Sequence, residues 1–153
     1  TKNPPNLYLL LLIILSSMGG FYTTVFIPSL TCLNNVAKGI VRDQLPYAMR
    51  MYNEIVHVEL DKMLEWYIGI KTEFSISVGM WGKYFKKFLP TEVYELYTKT
   101  YSNYENLWTA VFAGCELFRT VAPVVGNHFG YVYNQSDDNS MMEYLIKMRN
   151  REF

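Results

Sequence analysis

Residues Leu7 to Ile27 read LYLLLLIILSSMGGFYTTVFI, a stretch that contains no charged side chain. At ~1.5 Å of rise per residue, a helix of this length reaches about 31 Å, close to the ~30 Å hydrocarbon thickness of a bilayer. A cleaved signal peptide is the alternative, but Lys2 is its only basic flank and no clear small-residue cleavage site follows. We therefore predict that this segment is a transmembrane helix.

Three small residues lie along one side of this predicted membrane helix. Ser16, Gly20 and Thr24 recur every four residues, and such a stripe lets the backbone of a second helix approach closely. We predict that these residues pack against another membrane helix. The alternative is that they carry no partner, because small residues are common in membrane helices.

The basic residues around this segment indicate its orientation. Only Lys2 precedes the segment, whereas Lys38, Arg42 and Arg50 follow it. Basic residues tend to stay on the cytoplasmic or matrix side of a membrane. The bulk of the chain is therefore predicted to lie on that side.

Composition limits the partners that the chain is expected to bind. Its 153 residues include 14 basic and 14 acidic side chains, so there is no basic excess of the kind that nucleic-acid binding requires. The aromatic fraction of 16% is high, and such side chains favour buried contacts and interfaces.

Cys32 and Cys115 lie far apart in sequence, so we expect buried free thiols rather than a disulfide or a metal site.

We predict a mostly α-helical chain in four parts. Residues 1–6 form an N-terminal extension, 7–27 the transmembrane helix, 28–45 a juxtamembrane segment and 46–153 a small helical domain. The domain is expected to be a long antiparallel helix hairpin followed by a short C-terminal helix. A capping box formed by Ser140 and Glu143 predicts the start of that last helix.

Two apolar series with spacings of three and four residues predict the two helices of the hairpin. The first series is Tyr52, Val56, Leu60, Met63, Tyr67, Ile70 and Phe74. Glu54, Asp61 and Glu65 fall largely away from it. The second series is Tyr97, Tyr101, Tyr104, Trp108, Val111, Cys115 and Phe118. All of these except Cys115 are predicted to contact the first helix or a partner protein.

Aromatic and basic residues alternate in the stretch WGKYFKKFL, residues 81–89. Rings in the apolar layer and ammonium groups near phosphates are typical of a lipid headgroup boundary. The residues predicted for such a lipid interface are Trp81, Lys83, Phe85, Lys86 and Lys87. A packed helix with a solvated lysine face explains the pattern equally well. No cofactor or metal is predicted, apart from a bound phospholipid.

The stretch Leu107–Val125 is apolar enough to suggest a second membrane segment, since only Glu116 and Arg119 are charged. Each charge near the centre of a membrane helix costs ~2.5–3.5 kcal/mol on insertion scales. We therefore expect a helix buried within the protein, followed by a loop after Pro123.

No catalytic motif is present in the sequence. There is no H-E-x-x-H, G-x-x-x-x-G-K-[ST], G-x-G-x-x-G, G-x-S-x-G or C-x-x-C pattern. His57, with Glu54 behind it and Asp61 one turn ahead, is typical of a solvated helix face. We therefore predict that the protein is not an enzyme.

The function that these expectations favour is a single-span accessory or structural subunit of a large membrane complex, in contact with other membrane-protein subunits and membrane lipids. By analogy, the location that we expect is the mitochondrial inner membrane, in a respiratory complex or ATP synthase, with the C-terminal domain on the matrix side. The alternatives are a membrane-anchored helical domain that binds lipid or another apolar ligand, and a small membrane enzyme or transporter component.

Overall fold

The computed structural model of the chain describes residues 27–152, with side chains from Cys32 onward. These residues form helices joined by turns, and no β-strand occurs among them. The helices are α1 (Ile27–Val41), α2 (Leu45–Met51), α3 (His57–Lys71), α4 (Phe85–Phe88), α5 (Thr91–Thr98), α6 (Leu107–His128) and α7 (Gln135–Asn150). The prediction of a mostly α-helical protein is confirmed.

The predicted transmembrane helix Leu7–Ile27 lies outside the described residues, apart from Ile27, and so do its packing residues Ser16, Gly20 and Thr24. Ile27 is the first residue of α1, so the structure gives this prediction no support. The segment predicted to be juxtamembrane, 28–45, is largely α1. Its side chains Leu33, Val36 and Ala37 are buried in the helical core.

The first predicted helix is present as one rod from α2 to α3. A π-helical segment, Tyr52–Val56, joins the two, and the backbone N–H of His57 donates to the carbonyl of Tyr52. The residues at the centre of the predicted apolar face are buried, including Leu60, Met63 and Tyr67. Periodicity therefore predicted the buried face of this rod correctly.

The two long helices pack side by side, but they run parallel and not antiparallel. Near the start of each, the Tyr52 hydroxyl donates to the carbonyl of Ala110 at 2.9 Å. Near the end of each, the rings of Trp66 and Phe129 lie 6.5 Å apart. The prediction of an antiparallel hairpin is wrong, because α5 brings the chain back before α6 begins.

The second predicted helix is broken into α5 and α6. In the connection, the backbone N–H of Asn103 donates to the side chain of Asn106 at 2.6 Å, and the N–H of Asn106 donates to the side chain of Asn103 at 3.0 Å. Such local side-chain bonds offer the backbone an alternative to a helix. The prediction that the residues from Tyr97 to Phe118 form one continuous helix is therefore wrong.

Helix α6 passes through both parts of the core. Its second half packs with α3, α4 and α5 around Trp66, Phe85 and Leu117. Its first half packs with α1, the π-helical segment and α7 around Val36 and Leu145. By length and composition, α6 is the one helix of the described chain that could cross a membrane, but 56% of its most apolar window is buried inside the protein.

Two predicted boundaries differ from the structure. Helix α6 continues past Pro123 to His128, so the predicted loop begins too early. Helix α7 is capped by Asn134, whose side chain accepts hydrogen bonds from the backbone N–H groups of Ser136 and Asp137. The predicted capping box at Ser140 is wrong, because Asn134 caps the helix more than one turn earlier.

Candidate active-site cluster between α3 and α5

Helix α3 carries three titratable side chains along one stripe, and two of them contact α5 or the residues after it. His57, Asp61 and Glu65 follow one another at intervals of four residues, so they lie along one stripe of the helix. Tyr97 of α5 donates its hydroxyl hydrogen bond to Asp61 Oδ1 at 2.8 Å. Thr100, which follows α5, lies 2.9 Å from His57 Nε2 through its Oγ1. We call these five residues, together with Tyr101, the acidic-aromatic cluster.

The hydrogen bonds of Thr100 define the tautomer of His57. Thr100 is fully buried, and its hydroxyl donates to the carbonyl of Tyr97 at 2.7 Å. Since that hydroxyl has only one hydrogen, it must accept from His57, and the proton of neutral His57 therefore lies on Nε2. The other ring nitrogen, Nδ1, faces Asp61 Oδ1 at 3.7 Å, which is too long for a hydrogen bond.

His57 does not neutralise the carboxylates beside it. Burial lowers the pKa of His57 below its ordinary value, and the nearby charge of Asp61 opposes this shift only in part. A histidine with a lowered pKa is mostly neutral at pH 7. His57 therefore supplies little positive charge to the cluster at that pH.

The two carboxyl groups are held in an environment that opposes their charge. Burial raises the pKa of Asp61, although the Tyr97 hydrogen bond and His57 act in the other direction. Burial and the charge of Asp61 raise the pKa of Glu65 to about 7, and Lys62 opposes this shift. The Lys62 ammonium group binds Glu59 at 2.7 Å. Asp61 and Glu65 are thus two half-buried carboxyl groups with incomplete charge compensation.

An exposed aromatic ring borders these carboxyl groups. Tyr101 is 59% exposed, and its ring centroid lies 4.8 Å from that of His57 and 5.5 Å from that of Tyr97. The hydroxyls of Tyr97 and Tyr101 are 3.0 Å apart. Because the Tyr97 hydrogen is donated to Asp61, Tyr101 donates to Tyr97. The cluster combines negative charge, hydroxyl groups and an open ring face.

The π-helical segment fixes this cluster to the rest of the fold. The buried Tyr52 hydroxyl lies 2.8 Å from the carbonyl oxygen of Thr100 and 2.9 Å from that of Ala110. It therefore links the π-helical segment that precedes α3 to Thr100, after α5, and to α6. Single π-helical turns are frequent at functional sites.

Nucleophilic and metal-based chemistry is not evident in residues 27–152. No group of three His, Cys, Asp or Glu side chains in this part of the chain could hold a metal ion. Burial raises the pKa of Cys115 to about 12, so its thiol is not a reactive nucleophile. Cys32 and Cys115 are both free cysteines. The cluster is best suited to bind a ligand.

The structure separates the residues that were predicted to form one contact face. Tyr97 and Tyr101 belong to the cluster, whereas Tyr104 lies exposed in the α5–α6 connection. The other predicted residues lie on α6. Trp108 stacks on Phe112 with ring centroids 6.0 Å apart, Val111 is buried in the core, and Phe118 packs against the core.

The residues predicted for a lipid interface are also divided. Phe85 is buried, while Trp81, Lys83, Lys86 and Lys87 are exposed. Whether a phospholipid binds there stays a prediction.

The sequence predicted a solvated face for His57, Asp61 and Glu65, but in the structure Glu65 is half-buried and the other two contact α5 or Thr100. Their spacing of four residues was the signal in the sequence that they share one side of the helix.

The chain belongs to the streptomycin adenylyltransferase family, whose sequence model matches residues 27–148. It is 32% identical over 118 residues to an aminoglycoside 6-adenylyltransferase of Campylobacter jejuni, covering 76% of this chain and 41% of that protein. It is 31% identical to the enzyme of the same name from Bacillus subtilis (strain 168), over 67% of this chain and 37% of that protein. The chain thus spans about two-fifths of the length of these curated relatives.

A solved structure shows the same relationship. The crystal structure of an aminoglycoside 6-adenyltransferase from Bacillus subtilis superposes with a TM-score of 0.67 and 27% sequence identity. The match covers 78% of this chain and 46% of that chain.

These comparisons overturn the functional predictions from sequence. The relatives are enzymes, so the prediction that the protein is not an enzyme is wrong. The predicted accessory subunit of a respiratory complex or ATP synthase is wrong as well, together with its membrane-protein and lipid partners. The relatives are bacterial adenylyltransferases, which also contradicts a location in the mitochondrial inner membrane. The uncharged N-terminal run misled the predictions of membrane location and partners, and the absence of known catalytic motifs misled the prediction that the protein is not an enzyme.

Proposed function

We propose that this chain supplies the aminoglycoside-binding part of an adenylyltransferase, an enzyme that transfers AMP from a nucleoside triphosphate to a hydroxyl of the antibiotic. The family supports the class of reaction. The observation that carries the assignment of the site is the Asp61–Glu65 pair, two half-buried carboxyl groups without a full complement of positive charge.

Aminoglycosides are polycationic sugars, and their charge complements this pair. Burial of a carboxylate without a counter-ion is unfavourable, and a cation placed beside it offsets that penalty. A protonated amino or guanidino group of the ligand would lie between Asp61 and Glu65. The binding of a cation would lower the pKa of Glu65 and release a proton near pH 7, where the free protein is partly protonated.

The tyrosines of the cluster complement the rest of such a ligand. The exposed ring of Tyr101 offers a flat surface to the C–H face of a sugar, and its hydroxyl lies beside that of Tyr97. The bond from Tyr97 to Asp61 holds the carboxylate in a fixed orientation. The cluster would thereby position the acceptor rather than react with it.

The experiment is a titration of the chain with streptomycin by isothermal titration calorimetry. Asp61→Asn and Glu65→Gln remove one charge each with little change of shape, and each should weaken binding about 10- to 100-fold, as expected for a charge-assisted hydrogen bond. Glu95→Gln is the matched control, since Glu95 is exposed on α5 outside the cluster. Streptomycin binding that is the same in all three variants and the unchanged protein would refute the assignment.

A further inference from the structure

Two hydrogen-bond acceptors of the acidic-aromatic cluster face each other without a donor between them. Because neutral His57 donates its one N–H hydrogen, on Nε2, to Thr100, its Nδ1 atom carries a lone pair. Asp61 Oδ1, 3.7 Å from Nδ1, is an acceptor as well when the carboxyl group is ionised. Neither atom can donate to the other. Both could instead accept from a third group that carries hydrogens.

The imidazole of His57 is a buried polar group with one nitrogen left unpaired. The side chain of His57 is 10% exposed and that of Asp61 is 27% exposed. Nδ1 forms no hydrogen bond with another described residue, since Asp61 is too distant. Buried polar atoms nearly always have a hydrogen-bond partner, and leaving one unpaired is unfavourable. The unpaired Nδ1 therefore indicates a position that a ligand can fill.

The surrounding residues fix the direction in which Nδ1 points. The ring of His57 lies 4.8 Å from that of Tyr101 and 5.6 Å from that of Tyr97, between centroids. Tyr52 packs edge-on against it at 6.2 Å. The imidazole cannot turn Nδ1 away from the carboxylate without breaking its bond to the buried Thr100. The two acceptors are thus held in place before a ligand arrives, which favours binding.

The separation of the two acceptors suits a single nitrogen that carries at least two hydrogens. A nitrogen ~2.9 Å from both atoms would stand about 2 Å to one side of the line that joins them, and its two hydrogen bonds would diverge by about 80°. Hydrogens on one nitrogen diverge somewhat more than this, and hydrogen bonds tolerate the remaining bend. A hydroxyl has one hydrogen and could satisfy only one of the acceptors. The carboxylate charge further favours a cation.

We propose that His57 Nδ1 and Asp61 Oδ1 together bind one cationic nitrogen of the aminoglycoside, and that Thr100 is a positioning residue that keeps Nδ1 free to accept. This inference rests on the proposed function and deepens it. The nitrogen between Asp61 and Glu65 is joined by a second one, on the side of Asp61 that faces the preceding turn of α3. Since aminoglycosides carry several cationic nitrogens, one can occupy each position. His57 then selects a cationic nitrogen over a hydroxyl, because a hydroxyl would leave one acceptor unpaired.

Two substitutions of His57 test which ring nitrogen matters. His57→Gln places an amide nitrogen near the position of Nε2, where it can still donate to Thr100, and removes the acceptor at Nδ1. His57→Asn places an amide oxygen near the position of Nδ1 and removes the group at Nε2. Each variant is titrated with streptomycin by isothermal titration calorimetry at pH 8, where Glu65 is charged.

We expect His57→Gln to weaken streptomycin binding at least tenfold and His57→Asn to bind at least threefold more tightly than His57→Gln. The matched control is His128→Gln, which replaces the other histidine of the chain, an exposed one, and should bind normally. Binding by His57→Gln equal to that of the unchanged protein would overturn the proposal. Equal losses in His57→Gln and His57→Asn would also overturn it, because the bulk of the ring would then matter and not the acceptor.

Nuclear magnetic resonance of the imidazole nitrogens tests the tautomer directly. A ¹⁵N nucleus that carries a proton is distinguished from one that does not by its chemical shift, and the signals of His57 are those missing from His57→Gln. In the unchanged protein at pH 8, we expect a protonated Nε2 and an unprotonated Nδ1. Saturation with streptomycin should shift the Nδ1 signal and leave the Nε2 signal nearly unchanged. A protonated Nδ1 in the free protein, or an Nδ1 signal that streptomycin does not move, would overturn the proposal.

The positioning role of Thr100 has its own variants. Thr100→Val removes the hydroxyl with little change of shape, so part of His57 should take the Nδ1–H form, whose hydrogen points at Asp61 in place of the ligand. Streptomycin binding should weaken at least threefold, and Thr100→Ser should restore both the tautomer and the affinity. Weaker binding by Thr100→Val with an unchanged tautomer would overturn this role. If Thr100→Val does not fold, the spectra of the unchanged protein and of Thr100→Ser decide, since both must show the Nε2–H form.

Failure of this inference is distinguishable from failure of the proposed function. Streptomycin binding that depends on Asp61 and Glu65 but is unchanged in His57→Gln refutes the inference alone. Binding that depends on neither carboxyl group refutes the proposed function, whatever the tautomer of His57.

Discussion

At the residue scale, Glu65 is a group whose charge opposes folding and favours a cationic ligand. Burial and the charge of Asp61 raise its pKa from 4.5 in the unfolded chain to about 7 in the folded protein. A raised pKa contributes stability below the unfolded value, and that stability is lost as the pH rises from about 4.5 through about 7. The carboxylate that would bind an aminoglycoside therefore destabilises the free protein at neutral pH.

The raised pKa of Glu65 predicts the effect of Glu65→Gln on stability. At pH 8 Glu65 is charged in the folded protein, so its replacement by Gln removes that charge and should raise the thermal unfolding temperature. At pH 4.5 Glu65 is already protonated in the folded state, so the change should have little effect. Thermal unfolding followed by circular dichroism at both pH values measures this, with the exposed Glu95→Gln as control. A lower unfolding temperature at pH 8 would show that the Glu65 charge stabilises the fold.

The same residues show why sequence reasoning missed the candidate site. Asp61 and Glu65 lie off the apolar face of their helix, and such carboxylates are usually solvated. Both are half-buried here, and Asp61 bonds to Tyr97, which lies 36 residues later in the chain. Burial of this kind depends on tertiary packing, which the periodicity of one helix does not contain.

At the element scale, the α3–α4 connection depends on glycine at Gly82. Its φ angle is 66°, and a Cβ atom at this position would collide with the ring of Phe85. Gly130 has a similar φ angle of 77°, but a Cβ atom there would meet no other atom within 4 Å. The two glycines share the backbone strain and differ in the steric clash.

We predict that Gly82→Ala destabilises the protein more than Gly130→Ala does. Each change should cost ~1–2 kcal/mol because alanine is forced into left-handed backbone. Gly82→Ala should cost roughly 1–3 kcal/mol more, since the buried Phe85 ring must shift. Urea unfolding of the two variants measures the difference. Equal destabilisation would mean that Phe85 moves aside freely and that the α3–α4 connection is not rigid.

The direction of the helices could not be read from their periodicity. The spacing of Leu60, Met63 and Tyr67 predicts which face of a helix is buried, and that prediction is confirmed. Whether the next long helix runs parallel or antiparallel depends on what lies between them. Here α5 ends at Thr98 and the asparagine bonds at Asn103 and Asn106 form the turn before α6, so the two long helices run parallel.

At the scale of the whole molecule, α6 connects two core clusters that would otherwise be separate. One is formed with α3, α4 and α5, and the other with α1, the π-helical segment and α7. Because α6 contributes buried residues to both, each cluster stabilises the helix that the other requires. The described part of the chain should therefore unfold as one unit.

This coupling is tested by Leu145→Ala. Leu145 lies on α7, has no exposed surface and belongs to the cluster with α1, so its truncation should cost ~2–5 kcal/mol. If the molecule unfolds as one unit, amide hydrogen exchange should accelerate by a similar factor in both clusters, at Val36 beside Leu145 and at Val121 in the other cluster. The exposed Ile146→Ala on the same helix is the control and should change exchange little. Faster exchange confined to α1 and α7 would show that these helices open on their own. The candidate site between α3 and α5 would then be stable without them.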